Sequence, residues 1–236
     1  MILSKMDKEL RRILTSLKWP LAFLAVMWLV FVLQNIFNLD LAFLGVHPLH
    51  ADGLLGIITG VFIHGNLGHI FSNSFPFLIL GWALFYFYQE FAFKSLIMMW
   101  LTTGIWVWFF ARTNYHIGAS GLIYAMASFH IVSALIRKVF GLMAFAMLVI
   151  FLYGSMVWGF FPELFPKENI SWESHIMGAI AGIVFAFYFR KQGVQKPSLE
   201  DEFDDEFDEN DDEDLSPYHT HIKYYYTDNK DNTIDD

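Results

Sequence analysis

Residues 116–124 read HIGASGLIY and place Ser120 between two glycines at the start of an apolar run. If this run is a helix, its first turn offers backbone N–H groups without helical partners and the positive end of a dipole, which suit a developing oxyanion. Gly118 and Gly121 carry no Cβ, so the backbone can approach a substrate closely. Small residues also mark ordinary helix packing in membranes. Ser120 is therefore a candidate nucleophile that needs a partner base.

Two further pairs of polar residues recur at helical spacing within apolar runs. Polar side chains at membrane depth are costly and are usually functional or paired. His69 and Asn73 are four residues apart, so they project from one helix face. Ser120 and Tyr124 share a face of a later helix by the same spacing.

A candidate base lies in the last apolar run. His175 shares a helix face with Gly178 and Gly182, and such glycines let a helix approach its neighbour closely. Taken alone, His175 also fits an interhelical hydrogen bond without chemistry, but its occurrence together with Ser120 favours a nucleophile–base pair. Glu173 points to a different face from His175 and is not assigned as a third member of a triad.

The composition indicates a polytopic membrane protein. Of the 236 residues, 56% are hydrophobic and 19% aromatic, above the 45–50% apolar residues that are typical of soluble domains. There is no cysteine, which excludes disulfides, thiolate catalysis and Cys-based metal centres. The sequence has no basic face for phosphates, so we expect no nucleic-acid partner.

Six apolar runs of near-spanning length predict six transmembrane helices, over residues 19–37, 67–87, 91–110, 120–136, 140–161 and 172–189. Residues 39–66 are apolar but broken by Pro48, Asp52 and several glycines (Gly53, Gly56, Gly60 and Gly65), and they contain His47, His50 and His64. We therefore predict a long structured loop on the outer side instead of a span.

Charge divides the chain into a basic N-terminus over residues 1–16, a six-span domain over 17–191 and an acidic tail over 192–236. Residues 200–214 carry 12 acidic side chains and no basic one, which predicts disorder. Lys and Arg concentrate in the N-terminal segment and in the loops assigned to the inside, so both termini should face the cytoplasm. We expect a multi-pass protein of the bacterial inner (plasma) membrane.

The reactive residues together resemble the rhomboid intramembrane serine proteases. The matching pattern is His64…His69-x-x-x-Asn73, then Gly118-Ala119-Ser120-Gly121 with Tyr124, then His175-x-x-Gly178-x-x-x-Gly182. Order, span placement and spacing agree over residues 17–190. The first loop lacks the Trp-Arg pair of many bacterial members.

This resemblance implies a six-helix rhomboid-like bundle and a role for each residue. Ser120 would be the nucleophile and His175 the general base and acid, with Tyr124 orienting His175 by ring packing. Asn73, His69 and the Ser120 backbone N–H would stabilise the oxyanion. His64, Gly118, Gly121, Gly178 and Gly182 would support the site.

The expected substrates are single-span membrane proteins, cut inside their transmembrane segments, and membrane lipid is the other expected partner. Neither a cofactor nor a metal is expected. Two alternatives remain open: a client-binding protein of the same fold without proteolytic activity, and a metal-dependent membrane hydrolase. The second lacks a His-Glu-x-x-His motif.

Overall fold

The structure, a computed structural model, describes residues 2–155, 160 and 171–195. Its α-helices are α1 (Ile2–Ile36), α2 (Gly56–Thr59), α3 (Leu67–Phe87), α4 (Ala92–Phe110), α5 (Ser120–Arg137), α6 (Phe140–Tyr153) and α7 (Trp172–Tyr188). The described part of the chain contains no β-strand. This confirms the all-α membrane bundle that the sequence predicts.

Four of the described helices are long and apolar enough to cross a membrane: residues Asp7–Ile36 of α1, together with α3, α4 and α5. Helices α6 and α7 span 14 and 17 residues. The predicted fifth span, 140–161, runs into residues that lie mostly outside the described ranges. The six-span topology therefore stays a prediction, and the predicted disordered tail lies outside the described residues from 196 onward.

Helix α1 extends beyond the predicted first span over 19–37, because it is continuous from Ile2 to Ile36. The basic segment from Ile2 onward therefore belongs to the same helix as that span. The basic segment is rich in Lys, Arg and Leu, which are strong helix formers, and Arg12 ties it to α3 by donating to the Tyr86 carbonyl at 2.9 Å. Pro20 lies inside the helix, and its ring packs against Gly81 of α3. A Cβ on Gly81 would lie only 3.2 Å from the Pro20 Cγ atom.

Helix α5 lies at the centre of the bundle. In its most apolar 18-residue window 61% of the residues are buried, against 22–39% in the other three long helices. Its fully enclosed side chains include Leu122, Met126 and Phe129, which pack against Ile70, Phe77 and Leu80 of α3 in one core cluster. The residue that begins α5 is therefore held on the best-packed element of the fold.

The outward surfaces of the bundle remain apolar. Phe71, Phe75, Phe109, Phe110 and Phe151 are each more than half exposed. Contiguous apolar surface of this kind is rare on soluble monomers, and lipid is the medium that covers it in a membrane protein.

Residues 39–66 form a folded loop, as the sequence predicts. The loop contains α2 and short 3₁₀ turns instead of one straight helix. It is anchored on α4, because the indole N–H groups of Trp100 and Trp108 donate to the carbonyls of Ile57 and His50 at 3.0 and 2.9 Å. Two backbone carbonyls of the loop thus find hydrogen-bond donors within the protein.

The C-terminal end of α7 is held by the last residue of α5. The guanidinium of Arg137, which is 4% exposed, donates to the carbonyl oxygens of Phe189, Gln192 and Val194 and to the Ser133 hydroxyl. These bonds satisfy carbonyl groups that a helix end leaves without helical donors.

Candidate active site

Ser120 and His175 meet at the starts of two neighbouring helices. Ser120 is the first residue of α5, and His175 lies in the first turn of α7. The Nε2 atom of His175 lies 2.9 Å from the Ser120 Oγ atom, which is hydrogen-bond distance for a nucleophile and its base. Ser120 is half-buried, while His175 is 7% exposed.

Glycines on α7 make this contact sterically feasible. A Cβ on Gly178 would lie 2.0 Å from the Gly121 carbonyl oxygen, and a Cβ on Gly182 would lie 2.0 Å from that of Ala125. Both distances are far below van der Waals contact, so the two backbones touch only because the side chains are absent. Helix α7 therefore lies against α5 at the depth of Ser120.

The ring of Tyr124 covers the imidazole of His175. The two ring centroids lie 4.2 Å apart with only 9° between the planes. The ring of Phe160 packs on that of Tyr124, with 5.1 Å between the centroids. Tyr124 is one helical turn after Ser120, so the same face of α5 carries the hydroxyl and the ring. Stacking of this kind restricts rotation of the imidazole.

His69 and Asn73 point to the loop that precedes Ser120. Gly118 has φ = +101°, a conformation that favours glycine. A Cβ there would lie 2.6 Å from His69 Nε2 and 3.5 Å from Asn73 Nδ2. The two predicted donors and Gly118 are thus immediate neighbours, two residues from Ser120.

The Asn73 amide carries a buried hydrogen-bond donor. Asn73 is 5% exposed, and its Nδ2 atom has no hydrogen-bond partner within the described ranges. Such an orphaned buried donor is rare and calls for an explanation. A substrate oxygen at this position would accept from it.

His64 lies behind His69 and is completely buried. Its ring packs edge-on against that of His69 at 4.9 Å, and its Nδ1 atom lies 3.3 Å from the Phe62 carbonyl. Burial lowers the pKa of His64 to about 4, so the imidazole is neutral at physiological pH and Nδ1 can donate to that carbonyl. His64 supports His69 by packing.

Comparison with known proteins identifies the family of this chain. The rhomboid domain family matches residues 51–192. The chain belongs to the rhomboid family. An uncharacterized protein of Mycobacterium tuberculosis is 31% identical over 174 residues, covering 71% of this chain and 72% of the relative. An uncharacterized protein of Mycobacterium leprae is 31% identical over 182 residues, covering 71% and 68%. A protein of Acanthamoeba polyphaga mimivirus that is named for the rhomboid family is 28% identical over 142 residues, covering 58% and 75%.

All ten predicted site residues of this rhomboid protein lie within the described ranges. The structure brings together Ser120 with His175 and Tyr124, and His69 with Asn73 and Gly118. The remaining four are His64, Gly121, Gly178 and Gly182, which pack directly behind those groups. The described residues contain no cluster of three or more His, Asp or Glu side chains that could hold a metal ion.

Sequence reasoning missed the polar contacts around the start of α7 in this rhomboid. Glu173 forms an ion pair with Arg112, and His116 is hydrogen-bonded to Ser171. Glu173 is buried and paired with Arg112. An acidic residue in the first turn of a helix was the available signal, while its partner 61 positions away in the sequence left no local trace.

Proposed function

We propose that this rhomboid-family membrane protein is an intramembrane serine endopeptidase. The observation that carries the proposal is the 2.9 Å contact between His175 Nε2 and Ser120 Oγ. A hydroxyl in contact with an imidazole nitrogen can lose its proton as it attacks, which activates a nucleophile that is otherwise weak at neutral pH.

The proposed reaction has two stages. In acylation, Ser120 Oγ bonds to the scissile carbonyl carbon, His175 takes the hydroxyl proton, and that proton then passes to the departing amine as the C–N bond breaks. In deacylation, His175 removes a proton from water, the resulting hydroxide attacks the acyl carbon, and the proton returns to Ser120 Oγ as the ester bond between Oγ and the acyl carbon breaks. The half-buried position of Ser120 is compatible with the access of water that this step requires.

Each stage passes through a tetrahedral intermediate whose oxygen is negatively charged. Asn73 Nδ2, an imidazole N–H of His69 and the Ser120 backbone N–H are the proposed donors to that oxygen. The support for this assignment is the convergence of His69 and Asn73 on Gly118, together with the orphaned Asn73 amide.

The proposed substrates are single-span membrane proteins whose helix is weak near the outer surface. An α-helix hides its peptide bonds within its own hydrogen-bond ladder, so the cut site must unwind first. Gly or Pro near the cut would facilitate unwinding because both disfavour the helix. A span of leucine alone should be cut more slowly than the same span carrying Gly and Ala.

A fluorophosphonate probe tests the proposed nucleophile directly. The purified protein in detergent should be labelled at Ser120, located by mass spectrometry of the modified peptide. Labelling should vanish in Ser120→Ala. The matched control is Ser128→Ala, because Ser128 lies on the same helix and its hydroxyl contacts the Ala179 carbonyl on α7 at 2.8 Å. Equal labelling of wild type and Ser120→Ala would refute the dyad, and wild type without any labelling would leave a client-binding protein as the better function.

A further inference from the structure

The first turn of α7 carries His175 yet lacks an ordinary helix cap. Its N-cap residue, Ser171, makes no side-chain bond to the turn's own N–H groups, although serine at this position normally caps. The His175 backbone nitrogen lies 3.4 Å from the Ser171 carbonyl oxygen, a long hydrogen bond, while the Ser174 nitrogen lies 3.1 Å from the same oxygen. The geometry of this turn must therefore depend on neighbours outside the helix.

An ion pair ties this turn to the end of α4. Glu173 Oε1 lies 3.0 Å from Arg112 Nε. The Glu173 side chain is 5% exposed, whereas that of Arg112 is 52% exposed. The carboxylate lies at the positive end of α7 and the guanidinium immediately follows α4, so each charge is also stabilised by its helix dipole.

A chain of hydrogen bonds runs beside the ion pair. His116 Nε2 lies 3.0 Å from the Arg112 carbonyl, which can only accept. Since burial lowers the pKa of His116, its neutral ring then accepts at Nδ1 from the Ser171 hydroxyl, and Ser171 accepts from the Ser174 hydroxyl. The hydroxyl of the N-cap serine is thus directed to the loop instead of to its own helix.

The loop that receives these contacts is itself fixed. His116 and Val46 exchange two backbone hydrogen bonds, at 2.8 and 2.9 Å. Two residues later, Gly118 N–H donates to the Gly60 carbonyl at 2.8 Å. Residues 111–119 therefore connect the outer loop, the segment before Ser120 and the start of α7.

We propose that Arg112, His116, Ser171 and Glu173 form a polar latch that positions His175 against Ser120. The inference rests on the proposed function, since it assigns these four residues a positioning role in the same reaction. The latch holds the outer end of α7, while Arg137 holds the opposite end. None of the four is proposed to contact the substrate or to exchange a proton with it.

If the latch positions His175, its disruption should lower kcat and leave KM nearly unchanged. Replacing Arg112 with Gln leaves a buried carboxylate without its cation, which shifts the turn. Arg112→Gln should lower kcat about tenfold or more, with KM within about twofold of wild type. Fluorophosphonate labelling of Ser120 should slow in parallel, because it needs the dyad but not a transmembrane substrate. Arg112→Lys should stay within about threefold of wild type, since it keeps the charge.

A double variant tests whether Arg112 and Glu173 act as a pair. Glu173→Gln removes the buried charge, so the double variant Arg112→Gln/Glu173→Gln should be at least as active as Arg112→Gln alone. Additive losses would contradict a paired interaction. Ser171→Ala is the milder variant, and it should lower kcat by about threefold with little change in melting temperature if the hydrogen-bonded chain contributes.

The matched control is Arg190→Gln, which removes an exposed guanidinium from the opposite end of α7 and should leave kcat, KM and labelling unchanged. If Arg112→Gln, Glu173→Gln and Ser171→Ala behave like this control while wild type is active, the latch is refuted and the protease assignment stands. A change in KM with kcat unchanged would also refute it and assign these residues to substrate docking. Wild type without Ser120-dependent cleavage would refute both proposals.

Discussion

Single side chains around Ser120 divide into those that would change bonds and those that would stabilise charge. Ser120 and His175 exchange a proton in the proposed reaction and should be indispensable. His69 and Asn73 would act only as hydrogen-bond donors. The difference between total and partial loss separates the two classes experimentally.

Asn73→Ala and His69→Ala should each lower turnover by about 10²–10³, or about 2.7–4 kcal/mol, the usual cost of removing one oxyanion donor. The nucleophile stays intact in both variants, so the melting temperature should remain near that of wild type. Turnover and melting temperature are measured on the same preparations. A melting temperature lowered by many degrees, with activity recovered on cooling, would assign both residues a structural role instead.

Gly118 should tolerate no side chain. At φ = +101° a Cβ is strained, and it would also lie 2.6 Å from His69 Nε2. Gly118→Ala should therefore lower turnover more than about tenfold, corresponding to at least about 1.4 kcal/mol of barrier. Gly154→Ala is the control, because a Cβ at Gly154 meets no atom of the described residues within 4 Å. Wild-type turnover in Gly118→Ala would show that the donors do not converge there.

At the scale of elements, much of the bundle is predictable from apolar periodicity. The predicted second, third and fourth spans agree with α3, α4 and α5 to within one residue at each end. Their ends coincide with local signals, such as Asn66 capping α3 through a bond to the His69 N–H. Helix α1 also continues through the basic segment, because a basic segment can be helical without being apolar.

Contacts between distant segments left no comparable trace in the sequence. The spacing of His69 and Asn73 places them on one face, but only the fold places that face beside Gly118. The ion pair of Arg112 with Glu173 likewise depends on how the end of α4 lies beside the start of α7. Periodicity describes one helix at a time, so pairs of this kind require the tertiary structure.

The loop of residues 39–66 should lose stability in acid. The pKa of His64 is lowered to about 4 by burial, from 6.5 when exposed. Its contribution is fully present above pH 6.5 and is lost as pH falls towards 4, because the unfolded imidazole binds a proton that the folded one resists. The effect is at most about 3 kcal/mol.

The check is the melting temperature between pH 7 and pH 4. It should fall less steeply in His64→Gln, which has no imidazole to titrate, than in wild type. Identical slopes in the two proteins would mean that protonation of His64 does not limit the stability of this loop.

For the whole molecule, both termini are predicted to face the cytoplasm. Lys and Arg are enriched in the N-terminal segment and in the loops assigned to the inside. Reporters that are active only outside the cytoplasm should be silent when fused at residue 5 and at residue 225. One active fusion would contradict an even number of spans, and with it the entry of Ser120 and His175 from the same side.

Cleavage of a defined transmembrane substrate is the most direct measurement of the central claim. The wild-type protein and Ser120→Ala are reconstituted separately with a single-span substrate that carries Gly and Ala near its outer end, and the products are identified by mass spectrometry. Wild type should cut the substrate within or next to its membrane-spanning segment, and Ser120→Ala should leave it intact. A substrate that is bound but never cut by wild type, or cut equally by both proteins, would contradict the assignment of a Ser120–His175 protease.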